Sequence, residues 1–133
     1  VSNDSLKRDI EDNYAELAKL GVTKDDAPYF LPPYEWYNSQ NIEAIRSMGL
    51  VPVNFTPRTY TCDDYTTPDM TWRYKTSQEL MDKLYDYERD STLDGRIILI
   101  HPGTSPHRTD KLYNRLDEIF TTLIDKGYKM ERL

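Results

Sequence analysis

The 133-residue sequence is poor in several things, and each shortage excludes something. A single cysteine, Cys62, rules out an internal disulfide and cannot by itself hold zinc, so it reads as a lone thiol in a loop. Only two histidines occur, His101 and His107, six apart and separated by Pro102 and Pro106. That is not the spacing of a helical metal-ligand pair. No apolar run approaches the roughly 20 residues that cross a bilayer, so no membrane span is expected. The polar opening Val1–Lys7 lacks the pattern of a signal peptide. There is no basic excess either: 23 acidic against 17 basic residues give a net charge of -6, which argues against a nucleic-acid backbone as partner.

What is present is a globular composition, 38% hydrophobic and 30% charged, long enough for one domain with its own core. Tyrosine outnumbers phenylalanine 11 to 3, which favours wet clefts and surfaces, because the phenol keeps a polar end on an apolar ring.

Hydrophobic periodicity predicts four helices. Leu6, Ile10, Tyr14 and Leu17 form one stripe, closed by Gly21. A second helix starts at Asn38 or Ser39, carries Ile42, Ile45 and Met48, and stops at Gly49. Thr76-Ser77-Gln78-Glu79 is a capping-box start for a third, with Leu80, Leu84 and Tyr87 on its inner face. In the fourth, Thr109 is the expected cap, Leu112, Leu116, Ile119, Phe120 and Leu123 form a wide stripe, and Gly127 ends it. Strands are expected at Ile97–Ile100, a continuous apolar run, and at Leu50–Phe55, where Pro52 indicates an edge or a bend. Weaker strand signals cover 27–31 and 128–133. Helix and strand thus alternate, which implies an α/β fold of parallel strands with helical crossovers. Four of each make about half a barrel, and the series opens on a helix with no strand before it. The Tyr-, Thr- and Asp-rich stretch Thr56–Lys75 is long for a structureless loop, which implies either a functional segment or one that is not structureless after all.

Three segments carry a resemblance to a known family. The first is Tyr29-Phe30-Leu31-Pro32-Pro33-Tyr34 with Trp36-Tyr37-Asn38 and the helix ending in Gly49-Leu50. The second is Val53–Tyr65. The third is Leu99-Ile100-His101-Pro102-Gly103-Thr104, followed by the fourth helix and Gly127-Tyr128. In this order they resemble the C-terminal half of the NodB-like polysaccharide deacetylases, carbohydrate esterase family four, over roughly residues 5 to 133. The resemblance implies a partial (β/α) barrel that is part of a metal-dependent enzyme removing acetyl groups from a polysaccharide or oligosaccharide, secreted or periplasmic. It implies a divalent metal such as zinc, whose ligands lie in an Asp-Asp pair and a His-x-x-x-His pair upstream of the region matched here; no His-x-x-x-His occurs in this sequence. The upstream half of the same domain, or a self-association partner, would complete the barrel.

Residue by residue, the resemblance makes His101 the general acid that protonates the leaving group and the backbone N–H of Tyr34 an oxyanion donor. Leu99 and Tyr65 would line the acetyl pocket. Histidine suits the acid role because its ordinary titration lies near neutral pH. The plainer alternatives are a strand-end histidine without a role, a proline-stiffened turn at Pro32-Pro33, and a core position for Leu99. Leu31 stands where the family has an arginine that orients the base, and Tyr65 where it has a tryptophan after Asp64. Arg58 and Arg73 are the candidates to replace that charge. His107, between Pro106 and the helix start, reads as a surface residue. The alternative function is a catalytically inactive barrel that binds glycan through Trp36, Trp72 and the tyrosines. Against that, large aromatics more often fill cores or rims.

Overall fold

The computed structural model describes residues 2–131, which divide at Asn54–Phe55 into two compact units. Each is described by itself.

In the first unit, α1 spans Asn3–Ala18, with the Ser2 side chain accepting from the Ser5 N–H at its start. Its stripe buries Ile10 fully and Leu6 and Tyr14 partly, while Leu17 is half-buried. The Tyr14 hydroxyl reaches the Ala27 carbonyl at 2.5 Å, satisfying the polar end of a ring that packs on the core. Strand β1, Tyr29–Phe30, leads through a short 3₁₀ turn at Pro33–Glu35 to α2, Ser39–Ser47, and then to β2, Val51–Pro52. Asn38 caps α2 in a reciprocal box with Asn41, and Gly49 closes it at a φ of 80°, a conformation glycine adopts without strain. β1 and β2 pair in parallel, Tyr29 beside Val51 and Phe30 beside Pro52. The expected parallel pair with a helical crossover is therefore present here, but each strand is only two residues long. Pro52 fits because Val51 and Val53 donate to the carbonyls of Pro28 and Phe30, so its missing N–H falls on the side away from β1. Ile10, Ile45 and Leu50 form the core.

The second unit is built on α3, Ser77–Ser91, and α4, Leu116–Asp125. Thr76 caps α3 as expected; its N–H donates to the Glu79 carboxylate and holds that carboxyl below its usual range. Leu80, Met81, Leu84, Leu93, Leu112, Ile119 and Leu123 make the core, with Ile98, Ile100 and Tyr128 packed on it.

Several expectations are corrected here. Ile97–Ile100 is not a strand: Thr56 N–H bonds the Ile97 carbonyl at 2.8 Å, and no ladder follows. Arg58, the next residue of the same parity, is left-handed at a φ of 71° and takes the chain out of the extended form. Residues 128–131 contain no strand, and 132–133 lie outside the described residues. Thr109 does not cap the fourth helix. A 3₁₀ turn, Leu112–Arg115, intervenes, and Arg115 precedes α4 without a side-chain cap. Phe120, assigned to the apolar stripe, is 43% exposed. Thr56–Lys75 is not featureless: it holds 3₁₀ turns at Thr61–Tyr65 and Pro68–Arg73.

Candidate functional site

Asp64 and His101 form the most concentrated polar arrangement of the second unit. The turn Thr61–Tyr65 starts from Tyr60, whose φ is 64°, and follows Arg58 at 71°. Left-handed backbone at two non-glycine residues is strained, and such strain persists only where surroundings enforce it. Around it Thr59, Thr61, Thr66 and Thr67 are buried, and hydroxyls close the chain locally: Thr59 Oγ1 donates to Thr56 O at 3.1 Å, Thr66 Oγ1 to Asp63 O at 2.7 Å. The turn aims Asp64 inward, where it is 1% exposed.

Both oxygens of Asp64 are used by one residue. Oδ2 accepts the backbone N–H of His101 at 2.8 Å, and Oδ1 lies 2.6 Å from its Nδ1. A carboxylate only accepts, so Nδ1 carries the proton, and the other ring nitrogen, Nε2, keeps its lone pair. The imidazole is 39% exposed, and Nε2 makes no hydrogen bond among the described residues. The pair can therefore exchange a proton at Nε2 with an incoming group while Asp64 fixes the tautomer.

Tyr65 stands edge-on to this ring, centroids 5.6 Å apart, and is 39% exposed. Its hydroxyl accepts from Arg73 Nη2 at 2.7 Å. Leu99 is half-buried; its neighbours Ile98 and Ile100 pack on the core, and Leu99, of opposite parity, does not. His107 is exposed, as expected of a surface residue. Cys62 lies in the turn beside Asp64 rather than in an open loop and is partly buried. Asp64 is the residue that sequence reasoning left out of the site. Its signal was the match of Asp64-Tyr65 to the Asp-Trp pair of the resembled family, in a long polar loop.

Tyr34 and Trp36 belong to the first unit. The Pro33–Glu35 turn closes through Glu35 N–H to Pro32 O and Trp36 N–H to Pro33 O, which leaves the Tyr34 N–H outside the turn's own bonds. Tyr34 and Glu35 both have positive φ, 56° and 54°. Trp36 is 83% exposed and Trp72, in the second unit, 82%, so of the core or rim places expected for such aromatics the core is excluded for both. Trp36, Tyr34, Tyr37, Pro32 and Asp9 border a cleft of about 500 Å³ against α1. Leu31 is half-buried and brings no charge.

Among the described residues no three His, Cys, Asp or Glu side chains gather as a metal would require, and no helix is long and apolar enough to cross a membrane. Compared with protein-family models, curated proteins and solved structures, the chain matches none.

Proposed function

We propose that this chain supplies the proton-transfer side of a metal-dependent carbohydrate deacetylase, as part of a (β/α) barrel of the NodB type. The observation that carries the reading is the Asp64–His101 pair, a tautomer-fixed imidazole with its free nitrogen outward. In that role His101 gives a proton from Nε2 to the leaving amine or alkoxide as the acetyl carbon–heteroatom bond breaks. Nε2 takes that proton up before the transfer, while Asp64 holds the ring through Nδ1. Tyr65 and Leu99 would face the acetyl methyl.

The residues of this chain do not fit the metal. Asp64 spends both oxygens on His101, and no ligand cluster stands near it. The metal belongs to an upstream half or to a partner polypeptide, and secretion follows from the extracellular place of such substrates. The test uses the complete protein on an acetylated oligosaccharide. His101→Ala should lower turnover about 100- to 10,000-fold, the usual worth of one general acid, with the fold retained. Stability should fall only by what one lost partner of the buried Asp64 costs, about 1–3 kcal/mol. Full activity in that variant would end the assignment.

One observation favours a second reading, a glycan-binding barrel without catalysis: Trp36 stands exposed at the rim of an aromatic cleft. Aromatic faces of this kind stack on apolar sugar faces. Oligosaccharide binding lost in Trp36→Ala and kept in His101→Ala would support it.

A further inference from the structure

Arg108 is fully buried, yet no carboxylate accompanies it. Its Nη1 donates to the Thr66 carbonyl at 2.8 Å, its Nη2 to the Lys75 carbonyl at 3.0 Å, and its guanidinium lies 5.1 Å from the Tyr74 ring centroid. Nε finds no partner. An interior cation satisfied by main-chain carbonyls and an aromatic face is costly and keeps its place only if the geometry it imposes matters.

That geometry is specific. Thr66 follows Asp64 by two residues, and Arg108 lies seven beyond His101, on the same loop. The guanidinium therefore fastens the segment after the carboxylate to the segment after the imidazole. Its two carbonyls bracket 66–75, so the whole span between Asp64 and α3 is held at both ends. The loop is held again at Asp110, whose Oδ2 accepts the Ser77 N–H at 2.5 Å, and by Lys111 Nζ on the Ser105 carbonyl at 2.6 Å.

We propose that Arg108 is a positioning residue of the Asp64–His101 pair, a planar clamp that holds the two loops at the distance the hydrogen bonds need. The inference rests on the proton-transfer role proposed for that pair, but its test does not use activity. A planar fork that serves two carbonyls in different directions has no equivalent in lysine, which offers a single charged point.

The measurement is the imidazole region of the proton–nitrogen NMR spectrum of the ¹⁵N-labelled chain. In the unaltered protein the His101 Nδ1 proton should appear far downfield, as a proton held in a short bond to a carboxylate. Arg108→Gln should lose this signal, and Arg108→Lys should show it broadened and weaker, both with the amide dispersion of α3 and α4 retained. The signal unchanged in a folded Arg108→Gln overturns the clamp while leaving the pair intact. Loss of the fold in both variants overturns it in favour of a general structural role. Absence of the proton in the unaltered chain removes the pair itself, and with it the proposed function.

Discussion

The two units solve the problem of a small core differently. The first buries Ile10, Ala44, Ile45 and Leu50 and has no buried polar side chain among those described. Its order comes from local devices: two helix caps, closing glycines and one parallel strand pair. The second buries seven hydrophobic residues and, beside them, Thr59, Thr61, Asp64, Thr66, Thr67, Ser77 and Arg108. A buried polar group must be hydrogen-bonded or it destabilises; Thr59, Asp64, Thr66, Ser77 and Arg108 meet that need by tying backbone groups in place, whereas the Thr61 hydroxyl has no partner among the described residues. The first unit shows how far patterning alone orders a chain. The second shows what it takes to hold a reactive side chain still.

The largest effect should separate the cores. Truncating a fully buried aliphatic side chain costs about 2–5 kcal/mol wherever it sits. In the first unit that loss falls on three clustered residues, so Ile45→Ala should abolish slow amide exchange in α1 and α2. The same loss from Leu84→Ala falls on seven, and α3 should stay protected at reduced stability. Protected α1 amides in Ile45→Ala would break the comparison.

Next in size is the polar network. Asp64→Asn keeps the shape but places an amide where a carboxylate accepted two N–H groups. One donor is left without its acceptor, at about 1–3 kcal/mol. Chemical denaturation followed at α3 should show the loss, and turnover of the complete protein should fall about 10- to 100-fold, as for other residues that orient a reactive imidazole. A stable variant of unchanged turnover would make Asp64 packing only.

Caps should be the point of likeness. Thr76→Ala and Asn38→Ala each remove a side-chain acceptor from a helix start, at about 0.5–2 kcal/mol, and similar melting shifts are expected from both. A much larger shift for Thr76→Ala would tie that cap into the second unit's network.

The smallest effect concerns Glu88. The Lys126 ammonium, chiefly, and the Tyr128 hydroxyl hold its carboxyl below the usual range. A carboxyl lowered on folding stabilises above its unfolded pKa, about 4.3, and that contribution fades as pH falls through the lower folded value. Glu88→Gln should therefore melt slightly earlier at pH 7 and together with the unaltered protein in strong acid. A gap that persists in acid would show that the pair does not act through charge.

The sequence by itself determined the helices. Periodicity, the Thr76–Glu79 box, Asn38 and the closing glycines are local signals, and two of the three starts they marked fall where they pointed. The exception is the fourth: Thr109 looks like a cap by type, but a 3₁₀ turn over Leu112–Arg115 delays α4, because cap chemistry does not say which turn follows it. Strands were legible only where a partner was at hand. Val51–Pro52 pairs with Tyr29–Phe30, whereas Ile97–Ile100, more apolar than either, stays irregular because a ladder needs an extended neighbour and the one available turns away at the left-handed Arg58. For the site, His101 was readable from a motif, but Asp64 and Arg108 were not. Asp64 is 37 residues away from its imidazole, Arg108 is 42 and 33 from the carbonyls it serves, and nothing in the spacing of charges announces such contacts. Only the tertiary structure decides which distant groups share a desolvated space, and that sharing is what makes a carboxylate orient an imidazole and an arginine hold two loops.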